Sequence, residues 1–212
     1  MTDAGLGLVI GFVLVVVATL AFVGSAVRSA SPRAVVPIVL AACAWLGVLA
    51  VLALRGVFDH LPPPAAGAPL LVVIVVAQLV PAGRRFCDRL PLVTLTYLHL
   101  VRAGVEFCLF GLAMDHLLPT EMTFAGSNFD IAVGFTAPVF GNLGFPGGAP
   151  ARGPLVIWNL IALGLLAHVV GQAALAHPHV ILEWPWIWLP GFVVPIVAGA
   201  HLITLRRLIS KR

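Results

Sequence analysis

The chain has 212 residues, of which 61% are hydrophobic and only 9% are charged, whereas a soluble domain usually has about 25% charged residues. This composition excludes an ordinary soluble fold and predicts an all-α polytopic membrane helix bundle, in which residues 1–212 form a single transmembrane domain within the lipid bilayer. The formal net charge of +4 does not predict a nucleic-acid partner, because the basic residues are few and are clustered at helix ends.

Hydrophobic runs predict seven transmembrane helices in the cytoplasmic membrane. Their expected bounds are 6–27, 34–54, 69–82, 91–118, 129–145, 155–176 and 187–205. The third and fifth predicted spans are shorter than the roughly 20 residues needed to cross a bilayer, and the third is followed by GRRFCDRL, which is expected to be a basic loop. No basic residue precedes the first apolar run, so this helix is expected to be retained rather than cleaved as a signal peptide.

The distribution of basic residues predicts the orientation. If the C-terminus is cytoplasmic, the first, third and fifth loops and the tail contain ten of the twelve basic residues, whereas the opposite side collects acidic residues such as Asp3, Asp59 and Glu183. This asymmetry satisfies the positive-inside rule with the N-terminus outside and the C-terminus inside, provided that both short segments cross the membrane. The ten residues are Arg28, Arg33, Arg84, Arg85, Arg89, Arg152, Arg206, Arg207, Lys211 and Arg212.

The fourth predicted span has three polar, ionisable side chains in its apolar interior. His99, Arg102 and Glu106 are three and four residues apart, which places them on one helical face. A charged side chain at mid-bilayer costs at least about 2.5–3.5 kcal/mol, so such residues are expected to be functional. Arg102 and Glu106 are predicted to form an i,i+4 ion pair. That pair either only sets helix packing or belongs to a site where Arg102 binds an anionic group, Glu106 exchanges a proton and His99 acts as a relay or ligand.

Four further predicted spans each place a polar side chain near the depth of His99. These residues are Gln78, Asn142, Asn159 and His201. One buried Asn in a helix is ordinary interhelical hydrogen bonding. Convergence from five helices instead favours a polar pocket that opens toward the cytoplasm and takes a small polar or anionic ligand.

No cofactor or metal is predicted, although two histidines leave one alternative open. His99 and His201, at matching depth, could be the axial ligands of a b-type haem. No second histidine pair lies on the same two spans, and no H-x-x-H motif or carboxylate-rich cluster predicts another metal site. The three cysteines have no CxxC spacing, so neither a disulfide framework nor a zinc site is indicated.

The fifth predicted span begins in the stretch GSNFDIAVGFTAPVFGNLGF. Ser127 and Asp130 have the S-x-x-D spacing of a capping box at a helix start, which gives Asp130 a structural explanation. The helix is also short and interrupted by Gly and Pro, a pattern typical of transporter binding sites. Close helix packing at Gly141 and Gly144 is the competing explanation.

The run MTFAGSNFDIAVGFTAP, with LHLVRAGVEF before it and WPWIWLPGFVVPIVAGAHLITLR after it, resembles small bacterial multi-pass membrane proteins of uncharacterised function. The resemblance covers residues 92–206 approximately and implies no activity. It does imply that six residues belong to one unit, namely His99, Arg102, Glu106, Asn128, Asp130 and His201.

These patterns favour a small transporter or ligand-binding membrane protein. Nothing in the sequence specifies a reaction, so a role other than catalysis is expected. Two other classes stay open: a membrane-embedded enzyme or haem protein that uses His99 and His201, and a structural or assembly subunit in which the ion pair only fixes helix packing.

Overall fold

A computed structural model describes residues 5–210, and within that range the chain is helical with no β-strand. Asp3, Lys211 and Arg212, which enter the charge argument above, lie outside the described residues. The α-helices are α1 (Leu6–Ala30), α2 (Val35–Leu54), α3 (Ala68–Leu79), α4 (Pro81–Arg89), α5 (Leu92–Leu98), α6 (Val101–Met114), α7 (Asp130–Leu143), α8 (Arg152–Ala176) and α9 (Val194–Ile209).

Five stretches of the described chain are long and apolar enough to cross a membrane. They are Leu6–Ala30, Pro32–Leu54, Leu92–Met114, Arg152–Ala176 and Leu189–Ile209. A sixth candidate is the pair α3 and α4, which is bent by 96°. The α-helical, membrane-compatible bundle is therefore confirmed, with five or six helices of spanning length where the sequence predicts seven.

Two predicted boundaries differ from the structure for local reasons. GRRFCDRL is not a loop: α4 begins at Pro81, whose ring suits the first turn of a helix, and runs to Arg89. The predicted span 91–118 divides into α5 and α6 because the backbone tightens at His99 and Leu100. There, Leu100 N–H donates to Tyr97 O at 2.9 Å and Ala103 N–H donates to Leu100 O at 3.1 Å, which are i→i−3 bonds rather than i→i−4 bonds.

The bundle has a buried centre and an exposed N-terminal pair of helices, α1 and α2. In the most apolar 18-residue window of each candidate span, 67% of residues are buried in Leu92–Met114 and 61% in Leu189–Ile209, but only 11% in Pro32–Leu54. Helix α1 packs against α2, α5 and α6, and α9 packs against α3, α5 and α8. The α5–α6 and α9 spans therefore form the core around which the other helices are placed.

Helix α7 packs closely and in antiparallel fashion against α5 and α6. A Cβ atom added to Gly134 would lie 2.7 Å from the Cβ of Ala103, and one added to Gly141 would lie 2.7 Å from the Tyr97 ring. Small residues allow such close helix approach in membranes. At the other end of this contact Asp130, the first residue of α7, meets Arg102. Helix α7 therefore runs alongside both α5 and α6, with its N-terminal end at α6 and its C-terminal end at α5.

Candidate functional site

The centre of the site is a buried ion pair between Arg102 on α6 and Asp130 on α7. Arg102 is 2% exposed and Asp130 is 5% exposed. The Arg102 Nε donates to Asp130 Oδ2 at 2.7 Å, and Nη2 contacts Asp130 Oδ1, so the pair is bidentate. Nη2 also donates to the backbone carbonyl of Ala162 on α8 at 3.0 Å. The guanidinium group thus joins three helices and is neutralised by a carboxylate from another helix.

The predicted Arg102–Glu106 ion pair is therefore wrong. No Glu106 oxygen lies within 4.0 Å of an Arg102 nitrogen in the described chain, because the carboxylate of Asp130 takes the guanidinium group instead. A carboxylate from a facing helix can meet the planar fork with both oxygens, which gives stronger bonds than one oxygen would.

The predicted capping box at the start of α7 is also wrong. The N-cap residue is Phe129, without a side-chain cap. The Ser127 hydroxyl donates to Glu121 O at 3.1 Å instead, and the Asp130 N–H donates to Asn128 Oδ1 at 2.9 Å. Asp130 is thereby left to pair with Arg102.

The hydrogen bonds of His201 on α9 determine its tautomer. Its Nε2 lies 3.0 Å from Arg102 Nη1 and its Nδ1 lies 2.8 Å from Asn159 Oδ1. Because a guanidinium group can only donate, Nε2 must accept and Nδ1 must carry the proton. Asn159 Nδ2 in turn donates to Leu155 O at 2.8 Å, which orients the amide. His201 is therefore a neutral imidazole held at both nitrogens.

Glu106 continues the network on the other side of Asp130. Its Oε1 accepts from Asn128 Nδ2 at 2.7 Å, and that amide group also donates to Met122 O at 3.0 Å. Because Asn128 Oδ1 accepts from the backbone N–H of Asp130, one amide connects the Glu106 carboxyl group to the first residue of α7. Glu106 is 1% exposed, and its Oε2 has no hydrogen-bond partner in the described chain.

His99 lies at the break between α5 and α6 and stacks on His201. The two ring centroids are 3.8 Å apart with 19° between the planes, and the Trp158 ring centroid lies 5.4 Å from that of His99 with the rings at 73°. His99 is 1% exposed, and its Nδ1 has no hydrogen-bond partner among the described residues. Buried polar atoms without a partner are uncommon and costly. His99 and Glu106 each supply one.

The two histidines do not fit an axial haem pair. A haem iron with two histidine ligands lies between them, with one ring on each face of the macrocycle. The face-to-face rings of His99 and His201, at 3.8 Å, leave no space for a porphyrin between them, and both nitrogens of His201 are already engaged. In residues 5–210, no group of three or more His, Cys, Asp or Glu side chains could hold a metal ion.

Seven of the nine residues singled out in the sequence meet in this network. They are His99, Arg102, Glu106, Asn128, Asp130, Asn159 and His201. Gln78 and Asn142 lie elsewhere: Gln78 Oε1 accepts from Arg206 Nε at 3.2 Å, and the exposed Asn142 accepts from the Tyr97 hydroxyl at 2.6 Å. The seven residues are called the buried network below.

Two contributors to the buried network are not predicted from the sequence. Trp158 packs its ring against His99, and its Nε1 donates to Thr136 on α7 at 3.0 Å. The second is the carbonyl of Ala162. Trp158 is adjacent to Asn159 and could have been found from that position, but a main-chain acceptor leaves no sequence signal.

Three cavities in the described structure are lined by other residues. Two are apolar, with volumes of about 370 and 440 Å³, and one of about 180 Å³ is polar and lies near Arg84 and Arg206. Each residue of the buried network is at most 5% exposed, so the network is closed in this structure. Comparisons with protein-family models, curated proteins and solved structures find no match for this chain. The fold and site define a helical bundle with five or six helices long and apolar enough to cross a membrane, built around a buried polar centre.

Proposed function

We propose that this protein is a small proton-coupled transporter of the cytoplasmic membrane, seen with its site closed. In this proposal Arg102 and Asp130 form the part of the site that recognises a small anionic or polar solute. Glu106 exchanges the proton, and the site opens toward the cytoplasm for release or uptake. The network has no room for a solute in its closed form, so a proton is the species it can accept without rearrangement.

The observation that carries this proposal is the state of Glu106. The Arg102–Asp130 pair is satisfied by mutual contact and would be adequately explained as a packing device. Glu106 is not explained in that way, because its buried Oε2 has no partner in the described chain. A carboxyl group in that position costs free energy in either protonation state. Such a residue inside a membrane is expected to take part in proton or ligand movement.

The path of the chain supports seven membrane crossings with the N-terminus outside. At one end, His179 Nε2 lies 3.7 Å from Asp59 Oδ1, so the α2–α3 and α8–α9 connections lie together. At the other end, α4 shares a polar cavity with the start of α8 and the end of α9. Successive connections between helices therefore lie at opposite ends of the bundle. The second end carries the basic residues, as the positive-inside rule requires of a cytoplasmic surface.

In this arrangement the short helix α7 is a half-helix that begins inside the membrane. Its 14 residues extend only about 21 Å at 1.5 Å per residue. Its N-terminus carries Asp130 and meets Arg102. Half-helices that end near the midplane are a recurring feature of transporter binding sites, because their polar ends face the solute. The segment that precedes α7 completes the crossing without forming a long helix.

Carbodiimide labelling tests whether Glu106 exchanges protons. Dicyclohexylcarbodiimide is apolar and reacts with protonated carboxyl groups in apolar surroundings. Membranes containing the full chain would be treated over a range of pH, and modified peptides would be identified by mass spectrometry. We expect modification at Glu106, at a rate that falls as pH rises because the reagent needs the protonated acid. Glu121 and Glu183 belong to loops and serve as internal controls that stay unmodified.

The matched variant is Glu106→Gln, in which the amide oxygen can still accept from Asn128. It should fold as the wild type does and lose the modification. If Glu106 stays unmodified at every pH in membranes, the site does not open to protons, and the transporter proposal fails.

A second candidate function is a structural or assembly subunit. The contact that favours it is the Arg102–Asp130 pair, which links α6, α7 and the Ala162 carbonyl of α8 in one bonded unit. Under this alternative Glu106 is fixed and unreactive. The Glu106→Gln variant would then leave the host phenotype unchanged, and the carbodiimide would modify no buried carboxyl group.

A further inference from the structure

A small polar cavity lies at the basic end of the bundle, separate from the buried network. Its volume is about 180 Å³, and helices α4, α8 and α9 supply its charged side chains. The lining side chains that carry charge are Arg84, Asp88, Arg152, Arg206 and Arg207. Four guanidinium groups and one carboxylate leave three positive charges in excess, so the cavity is suited to an anion.

The arginines differ in how far they are already engaged. Arg206 Nη2 donates to Asp88 Oδ1 at 2.8 Å, and Arg207 Nη1 donates to the Leu90 carbonyl. Arg84 and Arg152 are exposed, and neither has an ion-pair or hydrogen-bond partner among residues 5–210. Asp88 therefore fixes one side of the cavity, and the other side presents two guanidinium groups without an acceptor in the part of the chain that the structure describes.

The position of Arg152 strengthens the case for an anion. It is the first residue of the 25-residue helix α8, which has no side-chain cap and no acidic residue in its first turn. A positive charge at a helix N-terminus is unfavourable because the helix dipole is positive there. An anion between Arg152 and Arg84 would offset this repulsion.

Size and chemistry restrict the class of anion. Arginine forks bind phosphate oxygens in pairs, and several arginines around one small volume match the unesterified oxygens of a phosphate group. A cavity of about 180 Å³ is below the roughly 300 Å³ at which pockets begin to enclose drug-sized ligands. It can hold a phosphate group but not a nucleotide.

We propose that this cavity is a binding site for a phosphate group, carried by the headgroup of an anionic phospholipid or supplied as free phosphate. Leu92 and Leu208 form its apolar wall at the start of α5 and near the end of α9. Basic pockets between membrane helices bind anionic lipid headgroups in this way. The proposal does not depend on the transport function, because it uses none of the residues of the buried network.

Binding to the full chain in dodecyl maltoside micelles tests the site by thermophoresis. The three probes are dioctanoyl phosphatidylglycerol, dioctanoyl phosphatidylcholine and inorganic phosphate. The test variant is R84Q/R152Q. The matched control is R85Q/R89Q, which removes two exposed charges from α4 that do not line the cavity. Equal unfolding temperatures of the variants and the wild type would establish that each is folded.

We expect the Kd for phosphatidylglycerol to rise about tenfold or more in R84Q/R152Q, because two charge-assisted contacts are lost, and about threefold or less in R85Q/R89Q. Phosphatidylcholine should bind more weakly than phosphatidylglycerol. If inorganic phosphate binds as tightly as phosphatidylglycerol, the source is free phosphate; if it binds more weakly, the source is lipid. Equal losses in the two double variants, or no binding of either anionic probe, would overturn the proposal.

Discussion

The N-terminal pair, α1 and α2, differs from the α5–α9 region in how much of its surface is buried and in how polar its side chains are. The window of Pro32–Leu54 is 11% buried and that of Leu6–Ala30 is 17% buried, so both present apolar side chains outward. The window of Leu92–Met114 is 67% buried although this segment contains His99, Arg102 and Glu106. The most apolar helices therefore lie outside, and a more polar one lies at the centre.

The difference shows how the α5–α9 region tolerates charge inside a membrane. The hydrocarbon core of a bilayer has no hydrogen-bonding groups, so a buried charge there needs partners within the protein. Arg102 reaches acceptors on three other helices, Asp130 on α7, Ala162 on α8 and His201 on α9. The N-terminal pair needs no such partners because its side chains match the solvent around them. Four predictions test this contrast, in order of decreasing effect.

The largest effect is expected from breaking the Arg102–Asp130 pair. Replacing one partner, as in Arg102→Met or Asp130→Leu, leaves a buried charge without its counter-ion and should lower the free energy of unfolding by about 3–5 kcal/mol. The double variant should recover most of this loss, since no charge is then left unpaired. The measurement is reversible unfolding of the purified chain in mixed dodecyl maltoside and dodecyl sulfate micelles.

A matched control for this prediction lies in the N-terminal region. Arg55, at the C-cap of α2, is exposed, so Arg55→Met should change the free energy of unfolding by no more than about 0.5 kcal/mol. If the two single variants at Arg102 and Asp130 behaved like Arg55→Met, the pair would contribute nothing to stability. The contrast between the two regions would then be lost.

Much of the α5–α9 region follows from local sequence rules. The spacing of His99, Arg102 and Glu106 predicts a shared face, and all three are buried in the network. The partner of Arg102 does not follow from spacing, because the sequence alone does not distinguish the i,i+4 carboxylate of Glu106 from the carboxylate of Asp130 on another helix. Only the antiparallel packing of α7 at Gly134 and Gly141 shows that Asp130 reaches Arg102.

The hydrogen-bond partners of the other polar residues also do not follow from the sequence alone. Gln78 and Asn142 are expected near the depth of His99, yet one bonds with Arg206 and the other with Tyr97 outside the buried network. Their helices are short, and α3 turns by 96° into α4. Counting residues along each predicted span therefore does not reveal which polar side chains bond with one another, and of these four only Asn159 and His201 do so.

The second prediction compares two glycines that differ only in what surrounds them. A Cβ on Gly134 would lie 2.7 Å from Ala103 Cβ, whereas a Cβ on Gly47 in α2 would have nothing within 4 Å. Gly134→Ala should therefore lower the free energy of unfolding by about 1–3 kcal/mol through overpacking. Gly47→Ala should raise it by up to about 1 kcal/mol through helix propensity. Equal effects in the same micelle titration would mean that α7 does not pack closely on α6.

The third prediction concerns the contact between α2 and the span that contains α9. Pro195 has no N–H, so the Gly191 carbonyl four residues earlier lacks its usual α-helical donor. Trp45 Nε1 donates to that carbonyl at 2.9 Å. Trp45→Phe removes this bond and should cost about 1–2 kcal/mol of unfolding free energy. Trp184→Phe is the control, because Trp184 is 40% exposed. An equal loss of unfolding free energy in Trp184→Phe would show that the Trp45 hydrogen bond is not the cause of the effect.

The smallest effect is expected on the outer face of the N-terminal pair. Leu40 in α2 is 63% exposed, so in Leu40→Ala lipid or detergent tails can fill the space that the side chain leaves. The change in unfolding free energy should stay within about 0.5 kcal/mol. Leu112 on α6 is fully buried, and Leu112→Ala should cost about 2–5 kcal/mol because a cavity remains. A large loss at Leu40 would mean that this face is covered by protein rather than by lipid, and α2 would then belong to an interface instead of the lipid boundary.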